Sequence, residues 1–331
     1  MSANLPIDIP PFWARSAELI LRNRHRKVLV VGAADRGKST YCQFLATTFV
    51  AAGFKVAFVD ADIGQKDLGP PATISLGYLK TAASLMQAKL AGLYFVGSVD
   101  PIRHFLSIVV GTRRLVDAAR APFVIIDTSG LVQGAGHILT TFQIESLQPD
   151  MMVAIEKERE LGPLVKAYRQ YPLLRLHSSS RALPKSREAR RTARESAFRR
   201  YFAAAAEVTL DLKRLLVQRC LLFNGRPCAD PRFIYAETTP EGMIGISADP
   251  VAELPETRML PAGFEKNLLC GLGDRHGDGV GLGIIQEIQW RQPTITLWTP
   301  VAGPRIRSLQ FGELYLDRDG QERQDRLTLS F

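Results

Sequence analysis

Lys27-Val28-Leu29-Val30-Val31 runs directly into Gly32-Ala33-Ala34-Asp35-Arg36-Gly37-Lys38-Ser39-Thr40. The first run is apolar at consecutive positions, which describes a strand covered on both faces rather than on one. The second fits the pattern G-x-x-x-x-G-K-S, in which glycines let a tight turn present successive backbone N–H groups to phosphate oxygens at the positive end of the following helix. That helix is expected from Ser39 to Ala52, with Gly53 stopping it. Residues Gly32, Ala33, Ala34, Asp35, Arg36, Gly37 and Thr40 then form the cradle, Lys38 reaches the β- and γ-phosphates, and the Ser39 hydroxyl faces Mg²⁺. A glycine turn with a solvated lysine is the plainer reading, and it leaves the preceding strand and following helix unexplained.

Working outward, apolar runs at Lys55 to Asp60, Leu93 to Val96, Phe123 to Asp127, Met151 to Ile155 and Leu173 to His177 read as further strands. Segments of helical period, Pro101 to Ala119, Ile138 to Leu147 and Glu158 to Tyr171, lie between them. Repeated βα units of this kind predict an α/β fold: a parallel sheet with helices on both faces, carrying a phosphate-binding loop (P-loop). An arginine-rich helix is expected at about 185–203. Beyond it, FIYAET, MIGIS, NLLCGLG, GIIQEIQW, TITLWTP and LQFGELYLD are short strand-like pieces broken by Gly and Pro. The expected organisation is a P-loop domain at 1–203, including the arginine-rich lid, and a smaller β-rich domain at 204–331.

The net charge of +9 over 331 residues is unevenly spread. Residues 1–203 hold 28 Lys+Arg against 16 Asp+Glu, or +12, and residues 204–331 hold 14 against 17, or −3. A basic nucleotide-binding half favours a polyanionic partner. No apolar run approaches the roughly 20 residues of a membrane helix, and the first residues lack a signal-peptide pattern, so a cytoplasmic protein without a membrane partner is expected. Cys42, Cys220, Cys228 and Cys270 form no CxxC pair and read as reduced, structural residues.

Acidic residues at strand ends are candidates for the metal and the chemistry. Phe123 to Asp127 leads into Thr128-Ser129-Gly130, placing Asp127 where it can hold a metal-bound water. Val56 to Asp62 ends in two aspartates that share a face if the strand reaches Asp62. Asp60 is therefore a second metal candidate, and helix capping is the structural alternative for both Asp60 and Asp127. DTSG also fits the D-x-x-G of a GTPase switch, but no N-K-x-D element follows to read guanine. Partitioning ATPases and metallochaperones share the D-x-D strand, yet the extra lysine usual in those ATPases is replaced here by Ala33-Ala34.

Between Lys185 and Arg200 stand seven Lys/Arg and two Glu, with Arg187, Arg191 and Arg194 at helical spacing and Arg190 beside them. Such a helix after a P-loop domain suits a lid that brings guanidinium groups to a transferring phosphoryl. At this point GAADRGKST, VDADIGQKDLGPPATISLG, FVGSVDP, VIIDTSGLVQGAGH and SREARRTARESAFRRYF together resemble the polynucleotide 5′-hydroxyl kinases. That family includes the kinase subunit of the eukaryotic pre-mRNA cleavage machinery, the pre-ribosomal RNA processing kinase and archaeal RNA kinases.

The resemblance implies an ATP- and Mg²⁺-dependent phosphotransferase acting on a nucleic acid with a 5′-OH end, RNA ahead of DNA. It makes Lys38 and Ser39 the phosphate and metal ligands, Asp62 the group that activates the hydroxyl, Gln65 its neighbour at the substrate, and Arg190 and Arg194 the lid arginines. The family's T-x-G-W clasp corresponds to Thr128-Ser129-Gly130-Leu131, with Leu131 where many members have Trp. A nucleotide-gated hydrolase and a non-catalytic ATP-binding scaffold in RNA processing are the alternative readings.

Overall fold

The computed structural model describes residues 9–80, 85–179, 181–248 and 255–323. The chain forms two compact units, Met1–Arg194 and Glu195–Phe331. The division falls inside the arginine-rich helix, nine residues before the boundary expected after residue 203.

The first unit opens with helix α1 (Pro11–Arg22), which was not anticipated, and continues with β1 (Lys27–Val31), α2 (Lys38–Ala51) and β2 (Val56–Asp60). Strands β3 (Thr73–Leu79) and β4 (Lys89–Phe95), helix α3 (Phe105–Ala118), β5 (Phe123–Asp127) and α4 (Ala135–Leu147) follow. Then come β6 (Met151–Glu156), α5 (Gly162–Ala167), β7 (Leu173–His177) and the first half of α6 (Arg187–Phe202). The strands lie in the order β7-β6-β1-β5-β2-β3-β4. From β7 to β2 all neighbours are parallel, whereas β3 and β4 are antiparallel additions at the β2 side.

Alternation along the strands explains why consecutive residues are apolar. Leu29, Val59, Ile126 and Ala154 join a core that includes Ile108 and Leu115 of α3 and Leu139 and Ile144 of α4. Their neighbours Val30, Phe58, Ile125 and Val153 join the opposite core with Trp13 and Ile20 of α1 and Tyr41, Leu45 and Phe49 of α2. Each strand residue is thus buried against one helical layer or the other.

Three further differences from the sequence expectations have local causes. Helix α5 covers six residues rather than Glu158 to Tyr171, because Arg159 is left-handed, the Glu160 carboxylate accepts the N–H groups of Lys157 and Glu158, and Pro163 starts the helix. Helix α3 begins at Phe105, since Asp100 caps a turn at Ile102 and Arg103 is left-handed. Strand β3 follows Gly-Pro-Pro and contains Gly77, punctuation that masks a strand.

The second unit is β-rich, as expected. It holds β8 (Ala206–Asp211), β9 (Leu216–Gln218), β10 (Arg226–Cys228), β11 (Tyr235–Thr239), β12 (Gly242–Ser247) and β13 (Thr257–Pro261). It continues through β14 (Leu268–Gly273), β15 (Gly279–Gln289), β16 (Thr294–Thr299) and β17 (Ser308–Tyr315). One sheet runs β9-β17-β14-β15-β16-β8 and a second runs β10-β11-β12-β13. Their shared core includes Ile244, Ile246, Leu268, Ile285 and Leu309, and Phe223 stacks on Trp290 at 5.6 Å between ring centroids. Among the described residues no helix is long and apolar enough to cross a membrane.

Helix α1 steadies the helix that follows the P-loop. Trp13 is 1% exposed and meets Tyr41 edge-on at 5.1 Å, and Ser16 shares a 2.8 Å hydrogen bond with the Tyr41 hydroxyl. Deleting a buried aromatic costs about 3–5 kcal/mol. Trp13→Ala is therefore expected to lower the unfolding free energy measured in urea by that amount, with an earlier midpoint at unchanged slope; a change below about 1 kcal/mol would show that α1 does not brace α2.

Candidate active site

Because β1 pairs in parallel with β5, Val30 stands opposite Asp127, so the loop leaving β1 passes directly over the end of β5. Gly37 ends the loop at φ 90 as the N-cap of α2, a conformation that glycine adopts without steric cost. At Gly32 a side chain would meet the Ile155 carbonyl oxygen at 2.5 Å, so the loop starts hard against β6.

A cavity of about 220 Å³ opens over this loop. Its walls include Ala34, Asp35, Gly37, Lys38, Ser39 and Thr40 from the loop, Asp62 and Gln65 after β2, and Gly130 after β5. Ala182, Leu183, Lys185 and Arg190, at the start of the arginine-rich segment and just before it, complete it. Residues scattered over more than 150 positions of sequence thus meet at the carboxyl ends of parallel strands, where open α/β sheets bind ligands.

The loop end is polar and buried. Ser39 donates to Asp127 Oδ2 at 2.6 Å, and the Lys38 ammonium donates to the Ala33 carbonyl at 3.1 Å. Asp127 is 2% exposed, and among the described residues its Oδ1 is buried with no hydrogen-bond partner. Burial pushes its carboxyl up to about 8, against the opposing charge of Lys38 and the hydrogen bond from Ser39. A buried carboxylate oxygen lacking a donor, beside a hydroxyl, is a hard-oxygen environment that suits Mg²⁺.

Asp62 stands across the cavity. Its Oδ1 accepts the N–H groups of Gly64 and Gln65, each at 2.9 Å, which fixes the carboxylate within the loop. Gln65 donates from Nε2 to the Gly64 carbonyl at 2.9 Å and to the Arg190 carbonyl at 3.4 Å. Arg190 in turn donates from Nε to the Lys185 carbonyl at 3.3 Å and from Nη2 to Asp35 Oδ2. The backbone N–H of Lys185 donates to the same Asp35 oxygen at 3.0 Å.

Several expected site residues face elsewhere. Asp60 ends β2 with its carboxylate accepting from the N–H groups of Asp62, Asp67 and Leu68, and it pairs with Lys66 at 3.0 Å. Its oxygens therefore shape the loop that carries Asp62, and it does not line the cavity. Because β2 stops at Asp60, strand alternation does not extend to Asp62. The Thr128 hydroxyl donates to the Val30 carbonyl at 2.8 Å and ties β5 to β1. Arg36 turns away to Glu160 at 2.7 Å. Gly130 closes the cavity floor so tightly that a Cβ there would lie 2.6 Å from Ala34 Cα. Leu131 packs around Gly136 and, like Arg194, is absent from the cavity wall.

Two charged residues escaped the sequence reading. Lys185 lines the cavity. Asp67 lies near Ser39; burial raises its carboxyl, opposed by the charges of Lys185 and Lys66. The signal for Asp67 was its place in the acidic segment DADIGQKD, whereas Lys185 stands before the helical spacing that picks out the arginines.

A P-loop at a strand end, a buried Ser–Asp pair behind it, and an aspartate and an arginine facing it define a P-loop nucleotide-binding protein of the phosphotransferase type. The chain belongs to the family described as mRNA cleavage and polyadenylation factor CLP1 P-loop, whose model matches residues 32–204. It is 34% identical to a polyribonucleotide 5′-hydroxyl-kinase of Pyrococcus furiosus, across 97% of this chain and 96% of that protein. Another protein of that name, from Methanocaldococcus jannaschii, is 30% identical across 89% and 88%. The polyribonucleotide 5′-hydroxyl-kinase Clp1 of Gallus gallus is 28% identical over 54% of this chain and 45% of its own length. Among solved structures, a Clp1p–Pcf11p complex shares the fold at a TM-score of 0.61 and 14% identity, over 92% of this chain and 79% of that one.

The state of Asp127 sets a pH dependence. Its carboxyl value rises from an ordinary 3.8 when unfolded to about 8 when folded, so the folded protein binds the extra proton. That contribution to stability is fully present below about pH 4 and is lost as pH rises through about 8. Asp127→Asn removes the titration, so its thermal midpoint is expected to gain on the wild type steadily between pH 5 and pH 8.5 in the absence of divalent cations. A difference that stays constant over that range would show that Asp127 is ionised throughout.

Proposed function

We propose that this chain transfers the γ-phosphoryl of ATP to the 5′-hydroxyl end of RNA. The observation that carries the proposal is that Asp62 and Arg190 line one cavity with Lys38 and Ser39 of the phosphate loop. A hydrolase needs only the loop side of that arrangement. A carboxylate opposite the phosphate loop suits an acceptor hydroxyl, and full-length relatives at 30–34% identity carry the name polyribonucleotide 5′-hydroxyl-kinase.

In this reading the loop amides and Lys38 hold the β- and γ-phosphates. Mg²⁺, when bound near Ser39 and Asp127, neutralises charge on the phosphate oxygens. Asp62 accepts the proton of the 5′-hydroxyl as its oxygen bonds to the γ-phosphorus, and the bond to the β–γ bridging oxygen breaks to release ADP. Arg190 stabilises charge on the equatorial oxygens, which is greatest in the transition state. Arg194, one turn further along α6, is proposed as the second lid arginine.

Incubation with ATP labelled at the γ-phosphate and 5′-OH oligonucleotides of RNA and DNA tests the proposal, with transfer expected to RNA. ATP hydrolysis without transfer would favour the nucleotide-gated hydrolase, and ATP binding without turnover would favour the scaffold. Asp62→Asn is expected to keep ATP affinity within a few-fold while slowing turnover by about 10²- to 10⁴-fold, the range of general-base contributions. Lys38→Ala should lose both affinity and turnover. Near-normal turnover in Asp62→Asn would remove Asp62 from the acceptor side.

Leu131 gives a further check. Base stacking on an aromatic side chain is worth roughly 1–3 kcal/mol, so Leu131→Trp is expected to lower the KM for RNA with little change in kcat. Unchanged KM in the folded variant would assign Leu131 to the packing around Gly136.

A further inference from the structure

We propose that Asp35 is a positioning residue: its carboxylate holds the lid cations Lys185 and Arg190 over the phosphate loop for the transfer step. The inference rests on the kinase reading and adds to it a role for a loop residue whose side chain the P-loop pattern leaves unspecified.

Two features of Asp35 need an explanation beyond the loop itself. Its backbone is left-handed at φ 60, a conformation that glycine and asparagine adopt as readily as aspartate, so backbone geometry does not require a carboxylate. A carboxylate within a phosphate-binding loop also repels the ligand it surrounds, at a distance where the charges are poorly screened. For nucleotide affinity alone, Gly or Asn would serve better.

The contacts of the side chain supply the explanation. One oxygen, Asp35 Oδ2, accepts from the backbone N–H of Lys185 and from the guanidinium of Arg190. The side chains of Asp35 and Arg190 are 13% and 26% exposed. Arg190 Nε donates to the Lys185 carbonyl, so Asp35, Lys185 and Arg190 close a ring of hydrogen bonds. Two bonds from different nitrogens define the plane of a guanidinium that carries five N–H donors. Gln65 holds the same turn from the acceptor side through the Arg190 carbonyl. Lys185 and Arg190 line the same cavity as Ser39, so both cations bear on the region around it.

This arrangement predicts effects of opposite sign on binding and catalysis. Asp35→Ala removes a negative charge from the loop, so affinity for a fluorescent ATP analogue is expected to stay level or tighten. Turnover should fall by about 10- to 100-fold, because a displacement of the arginine near 1 Å costs on that order. Asp35→Asn keeps a neutral acceptor and should fall between the wild type and Asp35→Ala. In an Arg190→Ala background, Asp35→Ala should cost no more than about 2-fold, since the two residues act as one unit. Amide hydrogen exchange over residues 185–190 supplies a readout independent of activity and should accelerate in Asp35→Ala.

ATP affinity that falls in step with turnover would overturn the proposal in favour of a role in loop integrity. Multiplicative losses in the double variant, or accelerated exchange with unchanged turnover, would also overturn it. Absence of transfer by the wild-type chain, by contrast, would count against the kinase reading itself.

Discussion

The parallel pairing of β1 with β5 is the constraint on which the site depends. It sets Val30 against Asp127, so the loop that begins at Gly32 has to turn back across the end of β5. Ser39, in the first turn of α2, then falls within 2.6 Å of Asp127. Thr128 secures the same junction through the Val30 carbonyl. These bonds are made in the interior, where an unpaired polar group is costly, so the pairing leaves few other places for the loop to lie.

What the sequence reveals and what it hides follow from the range of the interactions involved. The phosphate loop was legible because glycines at fixed offsets, the strand before and the helix after are all local. The strands of the first unit were legible because burial on two faces writes an uninterrupted apolar run. Asp60 and Asp62 were harder to separate, since residue spacing records the strand's period but not its last residue. Only the fold shows Asp60 turned into its own loop, with Lys66 against it, while Asp62 passes the strand end and reaches the cavity. Thr128 was ambiguous for a similar reason, because a hydroxyl reads alike whether it meets a substrate or a carbonyl of the neighbouring strand. Lys185 depended on a contact with Asp35, 150 positions earlier, which no local pattern records.

The first unit assigns its charged residues to distinct tasks. Lys66 compensates Asp60 inside the protein, Arg36 and Arg175 engage Glu160 and Glu156, and Lys38, Lys185 and Arg190 are the basic residues lining the cavity among the described residues. The excess of basic residues is thus partly structural. Charge alone was a weak guide to function, and the location of a few cations says more than their number.

The contact between Gly130 and Ala34 carries a consequence for how this sequence can vary. The β5 loop and the phosphate loop touch where a Cβ at position 130 would fall within 2.8 Å of three Ala34 atoms. Two of those atoms, N and Cα, are backbone and present whatever residue stands at 34, so no change at 34 makes room for a side chain at 130. Across divergent relatives position 130 should therefore stay glycine, whichever residue the loop pattern admits at position 34.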